Sequence, residues 1–200
     1  MTNNANSSDT TIFELGGDLP VRRVGYGTMR LADGPGDPTG PEARIWTAPA
    51  SRAAAVGLLQ EEGKVRHIGL SEVTVAQLEE AEAVAPIAAV QNLYNLATRD
   101  HEAVVDHTAG RGIAFVPFFP VAMGGHADPD GPVARVAREV GATPSQTALA
   151  WLLHRAPHIL PIPGTSSAAH LVENLGALDV ALTEEQFARL DREVGASSGS

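Results

Sequence analysis

Apolar and polar positions change their spacing several times along the chain, and each change predicts an element. Thr11–Leu15 and Leu19–Val24 flank Gly16-Gly17-Asp18, the pattern of a β-hairpin. Gly25–Leu31 continues as a strand, and Asp33–Pro41, rich in Gly, Pro and Asp without periodicity, reads as a loop. From about Ala50 strands and helices alternate. Ser51–Glu62 has helical spacing with Gly63 as its stop, and Val65–Leu70 is a short strand. Thr74 caps a helix to Val84, Ile87–Gln91 is a strand, and Asp100–Ala109 is a helix ended by Gly110. Ile113–Phe118 is an unbroken apolar run of strand length, as a sheet buried on both faces requires. Thr143-Pro144 starts a helix through Leu153, with proline at the favoured first position. Ile159–Ile162 is the last strand. Ala168–Leu178 and Glu184–Glu193 are closing helices, the second capped by Thr183 with Gln186 three residues on.

Strands separated by helices predict a parallel α/β sheet. An eightfold βα barrel needs ~250 residues, about 31 per unit, so Gly25–Val180 has room for roughly five units. The expected fold class is therefore α/β: an incomplete (β/α) TIM-type barrel of about five parallel strands with an N-terminal β-hairpin. Residues 1–10 and 196–200 read as flexible tails around a single domain over 11–195.

Composition narrows the function classes. With 44% apolar residues the 200-residue chain can bury a sizeable core, and its formal net charge of −10 disfavours nucleic acid and anionic membrane as partners. No apolar run approaches the ~18 residues of a membrane span. The start lacks the basic-then-apolar pattern of a secretory signal, so the expected location is cytoplasmic. Cysteine is absent, which removes disulfides and thiolate chemistry. His154 and His158 are four apart, but Pro157 breaks any helix there, and no metal site is expected. Asp128–Asp130 lacks the calcium-loop pattern and reads as a turn.

Four segments, in order, resemble the aldo/keto reductase family. They are the hairpin with Gly25-Tyr26-Gly27-Thr28-Met29; Gly63-Lys64-Val65-Arg66-His67-Ile68-Gly69-Leu70-Ser71; Val90-Gln91-Asn92-Leu93-Tyr94-Asn95-Leu96; and Pro117-Phe118-Phe119-Pro120-Val121-Ala122 leading to Ile162-Pro163-Gly164-Thr165-Ser166 and Glu173-Asn174. The resemblance implies NADP(H) as cofactor and a small-molecule carbonyl or alcohol as substrate. It implies that Gly27, Thr28 and Met29 line the nicotinamide end, that Ser71 and Gln91 hold the carboxamide, and that Phe118 stacks on the ring. Pro120, Val121 and Ala122 begin a loop over the pyrophosphate. Gly164, Thr165 and Ser166 precede a helix, whose unpaired N–H groups and positive end suit phosphate. Glu173 and Asn174 match adenine contacts. His170 stands where the family has an arginine on the 2′-phosphate, and Glu72 where Asn is commonest.

Family members place about three further barrel units between the Gly-Tyr-Gly-Thr-Met strand and the helix before Gly63. Here that interval is Arg30–Ala50, shorter than one unit. The resemblance implies that the Asp, Tyr, Lys and His tetrad belongs to those units. The single lysine, Lys64, enters a strand at the end opposite the active sites of such barrels. Three functions follow as expectations: an oxidoreductase lineage that has lost its tetrad; a non-catalytic dinucleotide-binding module; or a non-redox cyclase or isomerase using Glu72, Tyr26 or Tyr94 as acid or base. Plainer roles stand beside these, with Phe118 as core, Ser71 and Gln91 satisfying backbone groups, Pro163–Ser167 as a helix cap and Glu72 as a solvated loop residue. An open barrel exposes strand edges, so a homodimer covering them is expected.

Overall fold

The computed structural model describes residues 11–24, 67–121 and 128–195. The expectations for both tails, the strand Gly25–Leu31, the loop Asp33–Pro41 and the helix Ser51–Glu62 lie outside them. Strands β1 (Ile12–Leu15) and β2 (Leu19–Arg22) pair antiparallel, with Leu15 opposite Leu19. Gly16 and Gly17 supply the turn with φ of 64° and 82°, a region open to glycine at no steric cost.

The main sheet is parallel, in the order β3 (Ile68–Ser71), β4 (Ile87–Gln91), β5 (Ala114–Phe115). A single parallel bridge, Phe115 to Ile159, carries the ladder on to the segment expected as the last strand. Between the strands lie α1 (Val75–Glu82) and α2 (Glu102–Ala109). After β5 come α3 (Pro132–Val140), α4 (Pro144–Arg155), α5 (Ala168–Leu175), a 3-10 turn over Gly176–Asp179, and α6 (Glu184–Gly195). No helix among the described residues is long and apolar enough to cross a membrane.

Local chemistry explains the helix starts. Thr74 with Gln77 and Thr143 with Gln146 each form a reciprocal capping box, and the Thr183–Gln186 pair makes the same two bonds ahead of α6. Helix α3 was not among the expected elements, although Val133, Val136, Ala137 and Val140 have helical spacing and all but Val140 are buried. The Gly- and Pro-rich stretch before it masks that period. Asp128–Asp130 is indeed a turn, closed by Gly131 N–H on the Asp128 carbonyl.

The core lies between the sheet and its helices. Trp151 of α4 is fully buried, stacked 5.9 Å from Tyr94 on one side and 5.9 Å from Phe187 on the other. The hairpin covers the amino end of the sheet. A Cβ on Gly16 would come 2.5 Å from the His67 ring, which directly precedes β3. Arg23, itself buried, donates to the Leu153 and Ala156 carbonyls at the end of α4, at 2.9 Å each. The carboxyl edge is thus the end that the hairpin does not cover.

His154 and His158 fall on different segments, because α4 stops at Arg155. His154 stacks on Phe187, and His158 is buried, sharing Nε2 with Thr108 Oγ1 and the Val105 carbonyl. Burial pushes the His158 imidazole below its ordinary pKa, against the opposing pull of the Val105 carbonyl. The unfolded chain takes up that proton near ~6.5 and the native site only at lower pH. Stability therefore falls as pH drops below ~6.5 and levels off once the native value is passed. Urea midpoints at pH 7.5 and 5.5 should shift more in the wild type than in His158→Gln; equal shifts would remove His158 as the cause.

Candidate functional site

Strand β3 ends on Ser71 and β4 on Gln91, and the two residues are partners in the parallel register. Their Cα atoms are therefore one strand spacing apart, ~4.8 Å. Both are exposed, and among the described residues no protein group takes the Ser71 hydroxyl or the Gln91 amide. The ladder continues past β4 and β5: the Phe118 N–H donates to the Asn92 carbonyl, and Leu93 bridges Phe118. Phe118 is half-buried, not fully packed away, and its ring meets that of Phe119 edge-on. Ser71 and Gln91 thus stand at the same end of the sheet as this partly open ring, which lies two positions farther along on the next strand.

The backbone around this edge is unusual. Glu72 and Phe119, which follow Ser71 and Phe118, have φ of 53° and 50°. Non-glycine residues seldom adopt this left-handed region, which Asn tolerates best. Both are held by hydrogen bonds. The Glu72 N–H donates to the Gln91 carbonyl, its Oε1 accepts the Leu93 N–H at 2.7 Å, and the Phe119 carbonyl accepts from Asn95 Nδ2.

Pro120 and Val121 leave the same edge, the first buried and the second half-buried. Ile159 pairs in parallel with Phe115, and the Leu160 N–H donates to the Phe115 carbonyl. That strand runs in the direction of β5, so Gly164, Thr165 and Ser166 emerge on the carboxyl side with Phe118. Gly164 and Ser166 are exposed, and Thr165 is buried with its Oγ1 accepting the Ser167 N–H. Ser167 caps α5 by accepting the His170 N–H, and the His170 side chain is exposed. Asn174 is buried, and the Glu173 carbonyl accepts from Gln146 of α4. Tyr26, Gly27, Thr28, Met29, Lys64 and Ala122 lie outside the described residues.

One candidate is corrected. Tyr94 is no acid or base for a substrate, because it has no exposed surface. It packs between Trp151 and Phe115, and its hydroxyl donates to Glu102 Oε2 at 2.9 Å. Burial, reinforced by the Glu102 charge, pushes the phenol well above its ordinary pKa. Burial alone would raise the Glu102 carboxyl too, yet hydrogen bonds from Arg155, Arg99 and Tyr94 bring it below the usual carboxylate range. The cluster ties the start of α2 to the end of α4 and, through Arg99, to Asp191 of α6. It is a structural network.

Sequence reading missed Asn92 and His101. Asn92 is fully buried, donates to the Val73 carbonyl at 2.8 Å and accepts the Val73 N–H at 3.1 Å. Its Nδ2 also meets His101 Nδ1 at 3.0 Å, while His101 Nε2 lies 3.6 Å from Glu72 Oε2. An Asn directly after a strand end was the available signal.

The aldo/keto reductase family model matches residues 45–194. Pyridoxine 4-dehydrogenase of Escherichia coli is 52% identical over 134 residues, 66% of this chain and 46% of its own length. An uncharacterized oxidoreductase, C215.11c, of Schizosaccharomyces pombe is 45% identical over 138 residues, 69% of this chain and 45% of its own. An aldo-keto reductase from Klebsiella pneumoniae, solved in complex with NADPH, superposes with a TM-score of 0.63 at 30% identity, covering 71% of this chain and 53% of that one. The chain spans about half the length of the curated relatives it matches.

Proposed function

The chain belongs to the aldo/keto reductase family of oxidoreductases, and from that premise we infer that it is a dinucleotide-holding part of the fold, binding NADP(H) along its carboxyl edge without a proton donor of its own. The observation that carries this reading is the Ser71–Gln91–Phe118 juxtaposition. Ser71 can donate and accept, Gln91 can do both, and neither side chain is bonded to another group among the described residues. The residues therefore fit a nicotinamide: its carboxamide between Ser71 and Gln91, its ring against Phe118. Gly164, Thr165 and Ser166 at the start of α5 would take phosphate oxygens, Pro120 and Val121 would border the pyrophosphate, and Glu173 and Asn174 the adenine. His170 carries one ring in place of a guanidinium fork, so the 2′-phosphate would be held less firmly than by arginine.

NADPH, when bound, supplies hydride chemistry; the chain's own residues orient the ring and shield one face of it. Carbonyl reduction also needs an acid within ~3 Å of the developing alkoxide. With Tyr94 buried, the non-redox alternative retains Glu72 alone among the described residues, and one oxygen of that carboxylate already serves Leu93. In the same reading the chain works in the cytoplasm as a homodimer, a second copy covering strand edges that a complete barrel would pair.

Titrating NADPH into the purified chain tests the proposal. Saturable enhancement of cofactor fluorescence is expected from the wild type. Ser71→Ala/Gln91→Ala should weaken it roughly tenfold, the worth of two modest hydrogen bonds. A flat response from the wild type, or one indifferent to both substitutions, would count against it.

A further inference from the structure

Asn92, His101 and Glu72 form a chain of contacts whose proton positions the geometry decides. The Val73 N–H needs an acceptor and the Val73 carbonyl a donor, so the Asn92 amide can face only one way, with Oδ1 on the first and Nδ2 on the second. Nδ2 is then also the group at 3.0 Å from His101 Nδ1. That ring nitrogen must accept, which puts the proton of the neutral imidazole on Nε2, facing Glu72 Oε2 at 3.6 Å. The other Glu72 oxygen takes the Leu93 N–H at 2.7 Å. The carboxylate is thus held by the Leu93 N–H, with the His101 ring close by but beyond hydrogen-bond distance, at a residue whose left-handed backbone is itself strained.

Its position matters. Leu93, which holds the carboxylate, bridges Phe118 on the next strand, so Leu93 stands between the charge and Phe118 along the same row of strand ends. Ser71 and Gln91 are its immediate neighbours. A nicotinamide ring placed there is cationic when oxidised and neutral when reduced.

Resting on the dinucleotide reading above, we propose that Glu72, held by the Leu93 N–H, is a specificity residue that favours the oxidised over the reduced cofactor. The fixed carboxylate attracts the cationic ring and gains nothing from the neutral one. The hydrogen bond that holds the carboxylate comes from a backbone N–H, which does not cancel its charge.

The test is isothermal titration of the purified full chain with NADP⁺ and, separately, NADPH, for the wild type, Glu72→Gln and Glu72→Asn. Gln keeps an acceptor for Leu93 and removes only the charge; Asn suits the left-handed backbone and guards against a folding defect in the first variant. Both variants should lose affinity for NADP⁺ relative to NADPH by ~3–10-fold, the size of a charge pair a few ångströms apart near water. If the two Kd values keep their wild-type ratio in both variants, the proposal fails while the dinucleotide reading stands. A wild type that binds neither form overturns both.

Discussion

Purified protein supplied with NADPH and small aldehydes is expected to oxidise the cofactor at least ~10²-fold more slowly than a full-length aldo/keto reductase assayed beside it, since a positioned general acid contributes ~10²–10⁴-fold. The expectation rests on which side chains reach the carboxyl edge. Tyr94 gives its hydroxyl to Glu102 beneath Trp151, and Glu72 already accepts the Leu93 N–H with one oxygen. The interval Arg30–Ala50 is too short for the units that carry the tetrad in the resemblance. Absorbance at 340 nm follows the reaction. A rate equal to that of the full-length enzyme, abolished by one substitution in this chain, would show that a proton donor survives.

Trp151→Ala should be the most damaging core substitution, lowering the unfolding free energy by about 3–5 kcal/mol. The indole is fully buried between Tyr94 and Phe187, and the Arg99 guanidinium lies 5.1 Å from its centroid. Its loss would leave a cavity joining α4, α6 and the segment after β4, and would remove the surface on which Arg99 is arranged to meet Glu102 and Asp191. Urea denaturation measures it. A change below about 1 kcal/mol would mean that these elements close around the gap, and that the aromatic stack is not what holds them.

Local features were legible because their causes are local. Gly16-Gly17-Asp18 sets the hairpin, and a threonine before each of α1, α4 and α6 marks where the helix begins. Ile113–Phe118 announced itself as an unbroken apolar run, although only its Ala114–Phe115 pairs as regular strand. Ser71 and Gln91 could be matched to a site from sequence, but only pairing in register puts them side by side. Tyr94 shows the limit most clearly: its type suggests acid chemistry, whereas the tertiary packing of Trp151 and Phe115 decides that it never meets a ligand. Asn92 and His101 were equally hidden. Their roles depend on a strand end, the backbone of Val73 and the first turn of α2 meeting across the carboxyl edge.

Where the dinucleotide lies is tested most directly by a crystal structure of this chain grown with NADPH. The nicotinamide is predicted to lie against Phe118 with its carboxamide between Ser71 and Gln91, and the phosphates near Gly164–Ser166. A dinucleotide bound on any other face, or none bound at saturating concentration, would contradict the account.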